Sequence, residues 1–374
     1  MQKRGSAQAL REHNRKAVLA CLRDQAPISR TRLSARTKLS PATISAIVDE
    51  LISDQLLVEV GKERSRGGRR AVMLDFNEQK YFFLCADLAV DTISVALVNL
   101  RFQVLAHRSR PVQDRRDPAL LLQQLVETAQ EVLATLGAGE RVLGMCIGVT
   151  GVVNKAKDTI VYSAAFDIRN LNMRAELARF FDFPIYTFND ANLSALAEKY
   201  YLSSLGYCLY LMIGPSLGAG VIVNGDIYSG QSGWAGEIGH SIVERAGPVC
   251  FCGKRGCLVS VLAQYIPVGS AEKLRSTFAW PSGRDFYASS AYEHFCYYVG
   301  LIISNYVKIF DPETVIIGGV VAEVAPQKLY ADLEACVNEQ FLLGDQPVSI
   351  LPAQVKANSV IIGGAYFCFD NILL

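Results

Sequence analysis

The chain has 374 residues, of which 51% are hydrophobic and 20% charged, a balance that excludes a disordered chain and allows two or three domains with buried cores. Its net charge of +1 conceals an asymmetry: residues 1–75 contain 15 Lys and Arg against 8 Asp and Glu, whereas the remainder contains 22 against 28. A basic end joined to an acidic body indicates a nucleic-acid-binding segment attached to a globular domain.

The ten cysteines fall into two groups, three close together at 250–257 and seven isolated ones, mostly in apolar runs. The isolated ones are Cys21, Cys85, Cys146, Cys208, Cys296, Cys336 and Cys368. Such cysteines are typical of buried residues in a reducing compartment rather than of a disulfide framework. No apolar run follows the basic start of the chain, as a secretory signal would require, and glycines break the uncharged stretch 200–225. We expect a cytoplasmic protein without a membrane span.

Three helical patterns follow one another in the first 53 residues. The first covers roughly 7–23, and a short second helix is predicted at 30–36, with Ser29 placed to cap it. The third has Ser40 as its N-cap and Pro41 in its first helical position. Its apolar residues recur at the spacing of a helix with one buried face, and its other face opens with small residues. A short helix, a tight turn and a capped helix are typical of a helix-turn-helix.

A basic, glycine-rich segment at 61–70 separates two predicted strands, 56–60 and 71–74, which is the pattern of a wing. Small side chains at the start of the third helix can enter the major groove, and wing arginines can contact phosphate or a narrow minor groove. The candidate DNA-binding residues are Arg30, Arg32, Ser40, Pro41, Ala42, Thr43, Ser45, Arg66, Gly67, Gly68, Arg69 and Arg70. The alternative is a solvated helical bundle with an ordinary basic loop.

From residue 81 onward strands and helices alternate, as in an α/β domain. Strands are predicted at 82–88, 92–98, 102–105, 142–149 and 185–188, and helices at 118–136, 172–181 and 193–200. Asn189 and Asp190 follow a strand and open a helix, which is where open α/β sheets bind ligands. Asp190 is therefore either a general base toward a hydroxyl or the N-cap of that helix.

A second β-rich region begins at 207 and suggests a second lobe. Its predicted elements are strands at 207–213 and 221–223, a turn at 224–225, a long apolar helix at 288–310, a buried strand at 314–319 and a closing, glycine-bounded helix within 358–365. Two lobes that each combine strands with a helix, arranged around a cleft, are the architecture that this order of elements favours.

One histidine and three cysteines lie within 18 residues of this second region, among glycines that allow tight turns. They are His240, Cys250, Cys252 and Cys257. Imidazole and thiolate ligands in this number suit a closed tetrahedral Zn²⁺ site. Their spacing differs from that of a DNA-binding zinc finger, so the metal would hold a loop. The alternative is a set of ordinary buried thiols.

Taken together, five motifs resemble those of the ROK family, which groups bacterial sugar-responsive repressors with sugar kinases. They are Gly-Gly-Arg-Arg at 67–70, Asn-Asp-Ala-Asn at 189–192, Gly-Glu-Ile-Gly-His at 236–240, Cys-x-Cys-Gly-x-x-Gly-Cys at 250–257, and Asp-Pro-Glu with Ile-Gly-Gly at 311–319. The resemblance covers essentially the whole chain. It implies an α/β body with the actin-like, ribonuclease H-like two-lobed ATPase fold, preceded by an N-terminal winged helix-turn-helix domain. The implied boundaries are 1–78 for the DNA-binding domain and 79–374 for the body, whose lobes comprise 79–190 with 359–374, and 191–358.

The resemblance also implies roles for individual residues. His240, Cys250, Cys252 and Cys257 would hold one structural Zn²⁺ per chain. Asn189, Asp190, Glu237 and His240 would contact the hydroxyl groups of a sugar, and Asp190 occupies the position of the kinase base.

Three departures from the family pattern affect these roles. The kinases carry glycines on the first hairpin where this chain has Ala89 and Val90, and a second glycine-rich loop where it has Pro215 and Ser216. Side chains and a proline at these positions remove the space and the N–H groups that hold ATP phosphates. Val259 replaces a family glutamate that accepts sugar hydroxyls, so an ordinary hexose should bind more weakly, by about 1.5–3 kcal/mol.

The sequence therefore favours a repressor of carbohydrate uptake or catabolism genes rather than an enzyme. We expect a homodimer or tetramer that binds a double-stranded operator, with affinity modulated by a sugar or sugar-derived ligand in the cleft. The alternatives are an active sugar kinase with an appended DNA-binding domain, and a regulator controlled by a protein partner.

Overall fold

The structure is a computed structural model that describes residues 2–62, 70–154, 156, 158–202, 205–340 and 347–374. No helix within these ranges is long and apolar enough to cross a membrane.

The N-terminal segment is a winged helix-turn-helix. Its elements are α1 (Gln2–Gln25), β1 (Ile28–Ser29), α2 (Arg30–Thr37), α3 (Pro41–Ser53), β2 (Leu57–Lys62) and β3 (Val72–Phe76). Ser29 and Ser40 cap α2 and α3 as predicted, with side-chain oxygens that accept backbone N–H groups. The apolar face of α3 is fully buried, and the sheet order β1-β3-β2 places β2 and β3 as an antiparallel wing. The predicted helix-turn-helix and wing strands are confirmed.

The first lobe of the body is a five-stranded sheet flanked by helices and a small second sheet. Its elements are β4 (Tyr81–Leu88), β5 (Thr92–Asn99), β6 (Val104–Pro111), α4 (Pro118–Leu133), β7 (Arg141–Val149), β8 (Val152–Asn154), β9 (Thr159–Ser163), β10 (Ile168–Asn172), α5 (Met173–Leu177), β11 (Ile185–Asn189) and α6 (Asp190–Tyr201). The main sheet has the order β11-β7-β4-β5-β6, and β8, β9 and β10 form a separate antiparallel sheet.

The second lobe repeats the arrangement of the first. Its elements are β12 (Cys208–Ile213), β13 (Leu217–Val223), β14 (Asp226–Ile227), α7 (Leu258–Leu262), α8 (Ala271–Phe278), α9 (Ser290–Phe310), β15 (Thr314–Gly318), α10 (Val320–Val324), α11 (Gln327–Gln340) and β16 (Ser349–Pro352). The last helix, α12 (Ser359–Ile372), packs on β4 and β7 of the first lobe, whereas α6 packs on β12 and β13 of the second. The sheet order of the second lobe, β14-β13-β12-β15-β16, matches that of the first lobe strand for strand. Along the chain, the first three strands of each five-stranded sheet form an antiparallel meander. The last two strands of each of these sheets run parallel to its first strand. This duplicated topology is that of the actin-like fold, and it confirms the expected fold class.

Two local predictions are wrong. The helix expected at 172–181 is limited to Met173–Leu177, because Phe180 and Phe181 bond back to Leu177 in a tight turn before Pro184. The closing helix is not bounded by its glycines. Gly363 and Gly364 lie inside α12, where Gly363 lets it approach α6: a Cβ at this position would stand 1.8 Å from the carbonyl oxygen of Leu193.

Candidate ligand cleft, metal centre and DNA-binding surface

The four predicted metal ligands converge in the structure. The ligand atoms of His240, Cys250, Cys252 and Cys257 all lie within 4.8 Å of one another. The Cys252 and Cys257 sulfurs are 3.7 Å apart, and Cys250 Sγ is 3.6 Å from His240 Nδ1. Tetrahedral bonds to Zn²⁺ would place two sulfurs about 3.8 Å apart and a sulfur and a nitrogen about 3.5 Å apart. The donor set therefore fits a four-coordinate zinc ion, and the thiols are not disulfide-bonded.

The chain reaches this geometry through a tight turn that only glycine permits. Cys250 N–H donates to the Lys254 carbonyl and Gly253 N–H to that of Cys250, which brings the first two cysteines side by side. Gly256 has φ 72°, and a Cβ there would lie 1.5 Å from the Glu244 carbonyl oxygen. The loop thus packs against its own backbone and delivers Cys257, which is fully buried, to the start of α7.

The predicted ligand-binding residues line one cavity of about 900 Å³ between the two lobes. Asn189, Asp190, Glu237 and His240 all face it, as do Val259 and a second metal-site residue besides His240, Cys250. The metal loop therefore forms part of the cavity wall. The volume of the cavity lies near the upper end of the range of about 300–1,000 Å³ for small-molecule sites.

The sequence left two roles open for Asp190, a general base or the N-cap of α6, and the structure places Asn189 at the N-cap. The N-cap of α6 is Asn189, whose Oδ1 accepts the Asn192 N–H at 3.0 Å and whose Nδ2 donates to the Gly151 carbonyl. Asp190 is the first helical residue, so its assignment as the N-cap is wrong. Its Oδ2 accepts the Thr150 hydroxyl at 2.7 Å. Thr150 was missed by sequence reasoning, although it also follows the carboxyl end of a buried strand.

The carboxyl groups of the cavity hold their protons more tightly than usual. Burial raises the pKa of Asp190 to about 6, although the Thr150 hydroxyl opposes this shift. Burial and the nearby Asp190 raise the pKa of Glu237 to about 7. Burial also lowers the pKa of His240. Such groups offer both hydrogen-bond donors and acceptors, which suits recognition of hydroxyl groups.

The two hairpins at which this sequence departs from the kinase pattern make hydrogen bonds of their own. The turn after β4 contains Val90, which is buried, and Asp91, whose Oδ2 accepts the Ala271 N–H of α8 at 3.1 Å. This bond crosses from one lobe to the other. The second hairpin closes on itself, with the Gly214 N–H donating to the Ser216 carbonyl around Pro215. Both turns line a separate cavity of about 500 Å³ beside the first.

We expect Asp87, near the end of β4, to lower the stability of the folded protein at neutral pH. Its Oδ1 is enclosed without a hydrogen-bond partner, and burial with nearby Asp190 and Asp91 raises its pKa to about 8. The unfolded chain releases this proton near pH 4 and the folded one near pH 8, so stability falls as pH rises between these values. Asp87→Asn should therefore raise the melting temperature by about 5 °C at pH 8 and by less at pH 5. Differential scanning calorimetry at both pH values, with the exposed Asp182→Asn as control, tests this; equal shifts at both would contradict it.

The recognition helix presents the small residues that the sequence predicted. Pro41 and Ala42 are exposed at the start of α3, and the Ser40 hydroxyl is 2.8 Å from that of Thr43. Ser45 is partly exposed, and its carbonyl accepts from Arg30, whose guanidinium also pairs with Asp49 at 2.8 Å. Arg30 thus ties α2 to α3. Arg32 is exposed on α2 and Arg70 is exposed before β3, whereas Arg66, Gly67, Gly68 and Arg69 lie outside the described residues.

The DNA-binding head and the body share one hydrophobic core through α12. Phe369 of this helix packs edge-on against Phe76 of the wing, with ring centroids 5.5 Å apart. Arg23 of α1 lies over the Tyr366 ring at 4.7 Å and forms an ion pair with Asp370. No periodicity in the sequence indicated these contacts, because they join segments that are roughly 300 to 350 residues apart.

These features define a DNA-binding protein whose body has the two-lobed fold of sugar kinases. The chain belongs to the ROK family, whose model matches residues 83–370, and a winged helix-turn-helix DNA-binding model matches residues 11–58.

Relatives of both kinds align with the chain. It is 29% identical to the xylose repressor of Caldicellulosiruptor bescii, over 99% of this chain and 98% of that protein. A solved ROK family transcriptional regulator, a homologue of the Escherichia coli MLC protein, is 26% identical with a TM-score of 0.76, covering 97% and 98% of the two chains. A ROK family glucokinase from Streptomyces griseus, 19% identical with a TM-score of 0.64, shares the fold over 76% of this chain and 98% of its own.

Proposed function

We propose that this protein is a cytoplasmic transcriptional repressor of carbohydrate uptake or catabolism genes, whose operator affinity changes when a sugar or sugar-derived ligand occupies the cleft. The observation that carries the proposal is the direct packing of α6, which begins at the cleft residues Asn189 and Asp190, on α12, which holds the DNA-binding head. The similarity to a xylose repressor supports the same function.

Contacts between α6 and α12 provide a route from ligand to DNA. The two backbones touch at Gly363 and Leu193, and the Ser194 and Ser359 hydroxyls are 2.9 Å apart. Buried Glu198 of α6 accepts the N–H groups of Gln354 and Val355, in the segment that leads to α12. A ligand that shifts the start of α6 would therefore move α12 and the head with it. Regulation requires only that the ligand prefer one of the two arrangements.

A structural zinc ion, one per chain, completes the cleft wall in this proposal. The ion would be held by His240, Cys250, Cys252 and Cys257, and it would fix the loop that places His240 and Val259 at the cavity. Bound zinc supplies a rigid crosslink, with no open coordination position for catalysis. Val259 is buried and offers no acceptor to a hydroxyl, so selectivity rests on the other polar residues.

Phosphoryl transfer is the less favoured function. Asp190 retains the position of a base, but Val90 and Pro215 occupy the hairpins, and Asp91 adds a carboxylate where phosphates would be repelled. ATP-dependent phosphorylation of any hexose, abolished by Asp190→Asn, would revive the kinase alternative. Control by a protein partner is the other alternative, and capture of a specific protein from sugar-fed cells would favour it.

The proposed repressor binds DNA as a homodimer or tetramer, which presents two heads to a pseudo-palindromic site. Fluorescence anisotropy with labelled fragments tiled across the DNA that flanks its own gene tests this function. One fragment should bind with Kd of about 10⁻⁸ M or tighter, at least 10³-fold better than random DNA.

Addition of pentoses, hexoses and their derivatives should then weaken or strengthen this complex for one member of the panel. Asp190→Asn should keep the DNA affinity and lose the response, because its side chain lies in the cleft and not in the head. Asp182→Asn, on the exposed surface, serves as the matched control. Equal affinity for every fragment and for random DNA would contradict the function.

A further inference from the structure

Two arginines that no motif indicated line the 900 Å³ cavity. Arg115 and Arg116 lie in the loop between β6 and α4, and both side chains are exposed to the cavity. Within the part of the chain that the structure describes, neither guanidinium has an ion pair or hydrogen-bond acceptor. Two unpaired guanidinium groups beside a polar cavity are suited to an anionic group of a ligand, which they can bind through paired N–H groups.

The loop that carries these arginines is held in place by its own polar side chains. Asp114 Oδ1 accepts the Arg116 N–H at 2.8 Å, and Asp117 caps α4. Gln124 bonds to the backbone on either side of Val112, accepting the Gln113 N–H and donating to the Pro111 carbonyl. The carboxylates on either side of the arginines thus bond to the backbone and fix the loop that carries Arg115 and Arg116.

The other charged residues of the cavity form no ion pair with these arginines within the described residues. Asp167 is the exposed carboxylate that lines the same space. Asp190, which bonds to Thr150, lines it too, with Glu237 and His240, and Val259 contributes no charge. The cavity therefore combines polar residues that suit hydroxyl groups with two arginines that suit an anionic group.

We propose that the ligand of the cleft is an anionic monosaccharide, whose phosphate or carboxylate group binds Arg115 and Arg116 while its hydroxyls bind Asn189 and Asp190. This inference rests on the proposed function, since it names the chemical class of the effector. The volume of the cavity accommodates the additional group beside the sugar ring.

Isothermal titration calorimetry of the full-length protein with matched ligands tests the proposal. The probes are glucose and mannose, their 6-phosphates, glucuronate, and inorganic phosphate alone. A charged sugar should bind at least 10-fold more tightly than its neutral partner, and raised salt should weaken only the charged one. The 6-phosphates and glucuronate distinguish a phosphate ester from a carboxylate.

Variants of the arginine pair identify the site. Arg115→Gln with Arg116→Gln should weaken the charged sugar about 100-fold and leave the neutral one unchanged, and the double lysine variant should recover part of the loss. Arg245→Gln, an exposed arginine outside the cavity, is the control. Equal binding of charged and neutral sugars, unaffected by the double glutamine variant, overturns the inference but leaves the sugar-responsive function intact. Binding of operator DNA with no response to any sugar, charged or neutral, overturns both.

Discussion

Replacement of Cys257 by serine is expected to remove the zinc ion and to lower the melting temperature by about 10 °C or more. Cys257 is fully buried, it shares the metal site with three other ligands, and it begins α7. Its loss would release the loop that carries Cys250 and Cys252, and with it one wall of the cleft. The zinc content of the purified protein, measured by mass spectrometry, should fall from one ion per chain to well below one.

The matched control for this change is Cys336→Ser. Cys336 is a half-buried thiol of the same lobe that lies outside the metal cluster and donates to the Cys296 carbonyl, which a serine hydroxyl can also do. Its zinc content and melting temperature should stay close to those of the natural protein. A Cys257→Ser protein with the same zinc content and stability as this control would refute the metal site.

Ala42→Glu is expected to lower the affinity for operator DNA by more than 100-fold. Ala42 is exposed in the first turn of α3, so a glutamate would carry a negative charge toward the groove and the phosphates. A glutamate in the first turn of a helix favours the helix itself, so the fold should not suffer. Anisotropy measurements and a melting curve on the same sample separate loss of binding from loss of structure.

Ala138→Glu provides the comparison, because Ala138 is exposed in the body between α4 and β7. It adds the same charge to the whole protein and should reduce affinity less than about twofold, since it lies away from the DNA-binding head. If the two variants bound operator DNA equally well, α3 would not be the recognition helix.

The sequence predicted those parts of the fold that depend on local patterns. Capping by Ser40, a proline after the cap and the apolar spacing of α3 located the start of this helix to the residue. The small sheet of β8, β9 and β10 escaped prediction, because its strands have only three to five residues each and so carry little periodicity. Gly363 and Gly364 were misplaced at a helix end because their neighbours are distant in sequence: Gly363 admits α6, and Gly364 faces Cys146 of β7 and Cys85 of β4.

The candidate site was predicted in part. Residue types with strong chemical signatures, such as the histidine and three cysteines, were found and lie together as expected. Residues whose importance depends on their position in the fold alone were not predicted. Arg115 and Arg116 belong to an ordinary polar loop, and only the packing of β6 and α4 brings them to the cavity. No local pattern indicated that Asp91 bonds to the second lobe, and this contact became visible only in the structure.

The shared core of head and body is the feature on which the proposed regulation depends. α12 packs on α6 and on β4 and β7, and the same helix supplies Tyr366, Phe369 and Asp370 to the head. A head attached by a flexible linker could bind DNA without regard to the cleft. The observed packing instead implies that ligand and DNA influence each other, with equal and reciprocal effects on their affinities.

The most direct test of this coupling is to measure the affinity of the effector for the full-length protein with and without saturating operator DNA. If the cleft controls the head, the two dissociation constants should differ by about 10-fold or more, and the effector should change the DNA affinity by the same factor. Identical effector affinity in the presence and absence of DNA would contradict the coupling through α6 and α12.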